Sequence, residues 1–186
     1  VILAAAAGIW LVAEAERHAG VSRLGLRWIG GVLIVYGALD AYAKLGLAAF
    51  RLAGVTAAPI HRDPILSTTL AEFWGERWNL VVHGWIVRHV VRPLARRGRV
   101  AALSGAFLSS ALLHAYIVLA STERVVDALM ISLYFLLQGL GWALESRWFR
   151  GHGLAARAWT TAWVLLPSPL FTEPLLRALV PTWTGP

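Results

Sequence analysis

Residues 100–120 read VAALSGAFLSSALLHAYIVLA. These 21 residues carry no formal charge, and His114 alone among them titrates near neutral pH. About 20 apolar residues suffice for a helix to cross the hydrocarbon core of a bilayer. The stretch therefore reads as a membrane-spanning helix. It is also rich in small residues: Ser104, Gly105, Ser109, Ser110 and Ala111. Such residues let helices approach closely, or leave space between them for a ligand.

The rest of the chain agrees with that reading. Of its 186 residues, 58% are hydrophobic, and the mean hydropathy is +0.63. Soluble domains are nearer about 45–50% apolar. The excess lies in long runs and leaves no room for a separate soluble domain, so one membrane-embedded domain is expected over residues 1–186. Cysteine is absent, which excludes disulfides, thiolate metal sites and a thiol nucleophile. The net charge of +7 comes from 17 Lys and Arg against 10 Asp and Glu. These cations sit between apolar runs, where membrane lipids and topology account for them more simply than nucleic acid.

Outward from residues 100–120, the next span is Val125–Leu144, with Asp127 and Gln138 inside. A further apolar segment, about Ala155–Leu176, is broken by Pro167 and Pro169. Upstream, Trp28–Phe50 is long enough to span and carries Asp40 and Lys44 at the favourable four-residue spacing of an ion pair. Val1–Ala13 is apolar but short for a span, and the polar stretch Glu14–Arg27 follows it. The chain starts with Val1 and lacks a basic leader, so upstream sequence is expected to be missing, a valine-coded start being the alternative. Between residues 51 and 99 the loop holds Pro59 and Pro64, then Thr69 three residues before Glu72, the spacing of a capping box. The helix so started is expected to be amphipathic and aromatic, suited to the headgroup boundary. Eight arginines lie in Arg51–Arg99 and three in Glu145–Arg157, against five on the opposite side. That excess predicts a cytoplasmic Arg51–Arg99 loop. The fold class is thus an all-α, polytopic transmembrane helical bundle with a cytoplasmic-face amphipathic helix.

His114 is the leading chemical candidate. A polar imidazole in hydrocarbon is costly unless something uses it, and its pKa suits a general base. Ser110, one turn earlier on the same face, is placed to hold one ring nitrogen. The alternative is a packing histidine bonded to a neighbouring helix. Asn79 is the second candidate. It can polarise a carbonyl or orient His114, or simply cap a helix. His83 lies one turn after Asn79 and reads as a satisfied interfacial residue. His89 and His152 read as surface. Arg88, Arg92 and Arg96 recur every four residues and suit nucleotide or lipid phosphates. No metal-ligand spacing, phosphate-cradling glycine loop or Gly-x-Ser-x-Gly is present in the sequence.

Four strings carry a family resemblance: STTLAEFWGERWNLVVHGWIVRHVVRPL (Ser67–Leu94), SSALLHAY (Ser109–Tyr116), FLLQGLGWALE (Phe135–Glu145) and LLPSPLFTEPLLRAL (Leu165–Leu179). Together they resemble the membrane-bound O-acyltransferase (MBOAT) superfamily, and within it the wax-synthase-like branch. The resemblance covers roughly residues 64–179. It implies the C-terminal part of an MBOAT fold, with Asn79 and His114 as the family's asparagine and membrane histidine. It also implies an acyl-CoA co-substrate entering from the cytoplasm, with no further cofactor or metal, and an acceptor arriving from the lipid. Members that acylate polysaccharides carry Trp-His where this chain has Trp78-Asn79, which points toward a lipid alcohol. Trp74, Trp78, Ser110, Arg88 and Arg92 are then expected at the substrates. Family members have more membrane helices than the five or so read here, consistent with missing upstream sequence. The same transfer to a sterol, diacylglycerol, carotenoid or glycan, or a non-catalytic transport or assembly role, are the alternatives.

Overall fold

The computed structural model describes residues 1–148 and 153–179. His152 lies outside them. Among the described residues the chain is helical, with no strand. Three helices are long and apolar enough to cross a membrane: Gly20–Leu52, Arg99–Thr122 and Val125–Glu145. The proline-broken segment is two short helices, α8 (Leu154–Leu165) and α9 (Pro169–Leu179), of 12 and 11 residues. Each is too short to span alone.

The helices form two compact units, Ile60–Pro174 and Val1–Pro59 with the described residues from Leu175 to Leu179. In the latter, α1 (Ile2–Ala15) and α2 (Gly20–Leu52) make a tight hairpin. Gly8 and Gly30 allow it: a Cβ on Gly8 would sit 2.6 Å from the Gly30 carbonyl oxygen. The helix α2 starts eight residues before the expected Trp28, because Arg27 is taken into the fold. Arg27 is 1% exposed, and its guanidinium donates to the Glu16 carboxylate at 2.8 Å. The pair neutralises a cation that would otherwise be costly to bury. Lys44 and Asp40 form the expected ion pair at 2.6 Å.

The second unit is built on the antiparallel pair α6 (Arg99–Thr122) and α7 (Val125–Trp148). Ala111, Val118, Ile131, Tyr134 and Phe135 form its buried core. Against this pair lies the segment that the sequence suggested was one amphipathic helix. It is two helices meeting at an angle. The first is α3 (Leu70–Glu72), continued by a π-turn, Phe73–Arg77. The second is α4 (Leu80–Ile86), a further π-turn (Val87–Val91), and α5 (Arg92–Ala95). Trp78 is extended and Asn79 left-handed, with φ 43° and ψ 60°. That backbone ends one helix and starts the next. The expected cap at Thr69 is present, its hydroxyl accepting from the Glu72 N–H at 3.0 Å. The Glu72 carboxylate reaches Thr68 N and Oγ1, at 2.7 and 3.0 Å, and also takes Arg77 Nε at 2.7 Å. Burial raises the Glu72 pKa, but these donors outweigh it and leave the group below its ordinary value.

Contacts fix the direction of this helical hairpin. Both oxygens of Glu145, near the end of α7, accept from Leu70 N–H, at 3.0 and 2.8 Å. Four residues on, Trp74 donates its indole N–H to Gln138 at 3.3 Å. Gln138 lies two turns before Glu145, about 10 Å along α7. The first arm therefore climbs α7 from the Arg99 end. The second arm returns to that end, since Val90 and Leu94 pack into the gap left by Gly105. Asn79 is at the tip.

Glu145 is the tether. Replacing it by alanine leaves a buried helix-start N–H without its acceptor, at a cost of about 1–3 kcal/mol. The expected result for Glu145→Ala is a Tm lower by roughly 2–4 °C per kcal/mol, read by thermal unfolding of the purified protein in detergent.

Candidate active site

His114 lies on the face of α6 turned toward α7. Its ring centroid is 4.3 Å from that of Phe135 and 5.9 Å from that of Phe171. Its Nδ1 lies 2.8 Å from the carbonyl oxygen of Ser110. A carbonyl can only accept, so Nδ1 carries the proton, and in the neutral imidazole Nε2 carries the lone pair. Ser110 thus holds the ring, as its spacing suggested, but through the backbone rather than the hydroxyl. The result is a half-buried imidazole whose Nδ1 is fixed by the backbone, walled by aromatic rings.

Asn79 is built differently. Its side-chain oxygen accepts from Val82 N–H at 3.3 Å, and so caps α4. Its own N–H donates to Nδ1 of His61 at 3.1 Å. Because Oδ1 is engaged in the cap, the side-chain NH2 is the group left to serve a ligand. A non-glycine residue in the left-handed region costs free energy, and such strain concentrates at functional sites.

Among the described residues no hydrogen bond or ring contact joins Asn79 directly to His114. An aromatic path does. Trp78 is 4.6 Å from His61 and stacks on Phe73 at 5.7 Å. Trp74 is 6.5 Å from Trp78 and 5.9 Å from Phe135, which touches His114. The tryptophans are therefore wall and support between the two polar groups. Gln138 fixes that wall: it accepts from Trp74 and donates to the Trp163 carbonyl at 3.1 Å. Arg88 and Arg92 stand apart. Both are exposed, and each precedes by two residues a side chain packed at Gly105, so they point away from α6.

His61, Gln138 and Glu145 were not singled out from the sequence as parts of this site. Their partners are 18, 64 and 75 residues away along the chain. The one local signal was an amide and a carboxylate inside or ending an apolar span, where a polar group needs a partner. No group of three or more His, Asp and Glu able to hold a metal occurs among the described residues.

Fold and site together define an integral membrane protein with an oriented imidazole at an interhelical aromatic wall. Comparison with known proteins shows what the chain is similar to. The model described as "Membrane bound O-acyl transferase family" matches residues 57–137, which contain the hairpin, Asn79 and His114. That segment is similar to the membrane-bound O-acyltransferase family. A probable long-chain-alcohol O-fatty-acyltransferase 3 of Arabidopsis thaliana is 28% identical over 173 residues, covering 79% of this chain and 50% of the relative. Diacylglycerol O-acyltransferase 1 of Bos taurus is 35% identical over 102 residues, 53% of this chain and 20% of its own length. Sterol O-acyltransferase 2 of Rattus norvegicus is 30% identical over 136 residues, 61% and 26% of the two chains. The chain thus spans half or less of the length of each of these relatives. No solved structure gives a significant match to it.

Proposed function

We propose that the protein transfers a fatty acyl group from acyl-CoA to a lipid hydroxyl, with a long-chain alcohol as acceptor and a wax ester as product. The observation that carries this reading is the 2.8 Å approach of His114 Nδ1 to the Ser110 carbonyl oxygen, which commits Nδ1 as donor and leaves Nε2 as the atom to accept a proton. The acceptor O–H gives its proton to Nε2 as its oxygen attacks the thioester carbonyl carbon. The carbonyl oxygen takes up negative charge, and the Asn79 NH2 donates to it. The C–S bond then breaks, and the CoA thiolate recovers the proton from Nε2. The aromatic wall of Trp74, Trp78 and Phe135 keeps water from competing with the alcohol and gives the acyl chain apolar surface.

Arg88 and Arg92 hold the CoA phosphates in this reading, which suits their exposure. In this reading, supported by the arginine excess, the Arg99 end of α6 faces the cytoplasm. The choice of alcohol rests on Asn79 following Trp78 and on similarity to plant long-chain-alcohol acyltransferases. Membranes containing the full-length protein, given labelled palmitoyl-CoA and a mixture of hexadecanol, cholesterol and diacylglycerol, test it. Label is expected mainly in hexadecyl palmitate on thin-layer chromatography. Label mainly in steryl ester or triacylglycerol would replace the alcohol as acceptor while leaving the chemistry in place.

A further inference from the structure

We propose that His61 is a positioning residue for acyl transfer, acting through Asn79. The inference rests on the reading of Asn79 as donor to the developing oxyanion. It starts from the backbone of the hairpin tip. Asn79 bears a side chain, yet it holds φ 43° and ψ 60°. Such a residue persists only where its surroundings over-determine it.

Residues 60–62 supply that restraint and lie along the tip as a splint. The Leu80 N–H donates to the Ile60 carbonyl at 2.9 Å, and the Arg62 N–H donates to the Arg77 carbonyl at 2.9 Å. The Arg77 guanidinium donates in return to the Arg62 carbonyl at 3.0 Å, and Glu72 fixes the same guanidinium at 2.7 Å. These bonds clamp the chain on either side of Trp78 and Asn79. His61 fills the middle. Its ring packs on Trp78 with centroids 4.6 Å apart, and its Nδ1 accepts the Asn79 N–H at 3.1 Å.

The last bond is the one that a side chain decides. The neighbouring main-chain carbonyls are engaged, Ile60 by Leu80 and Arg62 by Arg77. An accepting Nδ1 carries no proton, so His61 holds the tip as a neutral imidazole with its proton on Nε2. Without that acceptor, a part-buried N–H is left unpaired at a strained residue, and a turn of the backbone relieves both. The Asn79 NH2 moves with that backbone. A misplacement of about 1 Å at a reacting centre can cost about 10²-fold in rate.

Two substitutions separate the acceptor from the ring. His61→Asn keeps an acceptor oxygen near the place of Nδ1 and loses the ring. His61→Phe keeps a ring against Trp78 and loses the acceptor. The full-length proteins are compared at equal folded amounts, with palmitoyl-CoA and hexadecanol for kcat and KM. Amide hydrogen exchange over residues 77–82 is followed by mass spectrometry. His61→Phe is expected to lower kcat by about 10–10²-fold with KM little changed, and to exchange faster at the tip. His61→Asn should stay close to the parent in both. In an Asn79→Asp background His61→Phe should cost little more, because the donor it positions is already gone. The reverse order, with His61→Asn impaired and His61→Phe near parental, would make His61 a packing ring under Trp78. Additive losses with Asn79→Asp, or unchanged tip exchange in His61→Phe, would overturn action through Asn79. Faster exchange with parental kcat would overturn the role in transfer. A parent that transfers no acyl group would remove the acyltransferase reading instead, and the exchange comparison would still decide whether Nδ1 holds the tip.

Discussion

His114→Gln is expected to lower acyl transfer by about 10²–10⁴-fold, the range that a positioned general base supplies. Glutamine keeps a side-chain N–H within a turn of the Ser110 carbonyl, so the local hydrogen bond of the imidazole has a substitute. It has no basic nitrogen to replace Nε2. The loss should therefore appear in kcat, with Tm and membrane insertion near those of the parent. A purely packing histidine predicts the opposite pattern, with activity following stability. His114→Ala adds a cavity beside Phe135 and Phe171 and is the less clean variant for that reason.

Asn79→Asp is the second. Aspartate keeps the oxygen that accepts from Val82 N–H, and at a helix start its charge strengthens the cap. It loses the NH2. Removing one donor to a developing oxyanion costs about 10²–10³-fold in kcat. Asn79→Asp should thus remain folded and lose that much transfer. Asn79→Gly supplies the complementary case. Glycine accepts a φ of 43° without strain but has neither cap nor donor. It should lose activity as Asn79→Asp does, with a modest drop in stability. Near-parental transfer by Asn79→Asp would remove the amide from the chemistry and leave it as a cap.

The spans were legible because burial in hydrocarbon leaves a long, unbroken signature. Residues 100–120 needed nothing beyond length and the lack of charge. The Thr69 cap and the Asp40–Lys44 pair were legible for a similar reason, since each is set by spacing within a turn or two. The hairpin was not. A helix cap is one reading of Asn79, and the cap is present, but nothing in the pattern from Leu70 to Ala95 announces an extended Trp78 and a left-handed Asn79. What decides the break is tertiary: Glu145 holds the start, Gln138 holds Trp74, and His61 receives the Asn79 N–H. The early start of α2 was hidden likewise, because Arg27 reads as a surface cation until Glu16 is known to reach it. Of the candidate site, the two residues stood out in the sequence, since a lone histidine in a span and a polar amide in an aromatic string are both costly without a use. That Ser110 acts through its carbonyl was not legible, because any residue at that position offers the same group.

The central claim is that this chain's imidazole moves a proton during acyl transfer to a lipid hydroxyl. The most direct measurement follows CoA release and ester formation together, in membranes carrying the full-length protein, with labelled palmitoyl-CoA and hexadecanol. Parent and His114→Gln are compared at equal folded amounts. The account predicts stoichiometric CoA and wax ester from the parent and background from His114→Gln. Equal ester from both would contradict the role of His114. Background CoA release from the parent with every lipid hydroxyl offered would contradict the transfer itself.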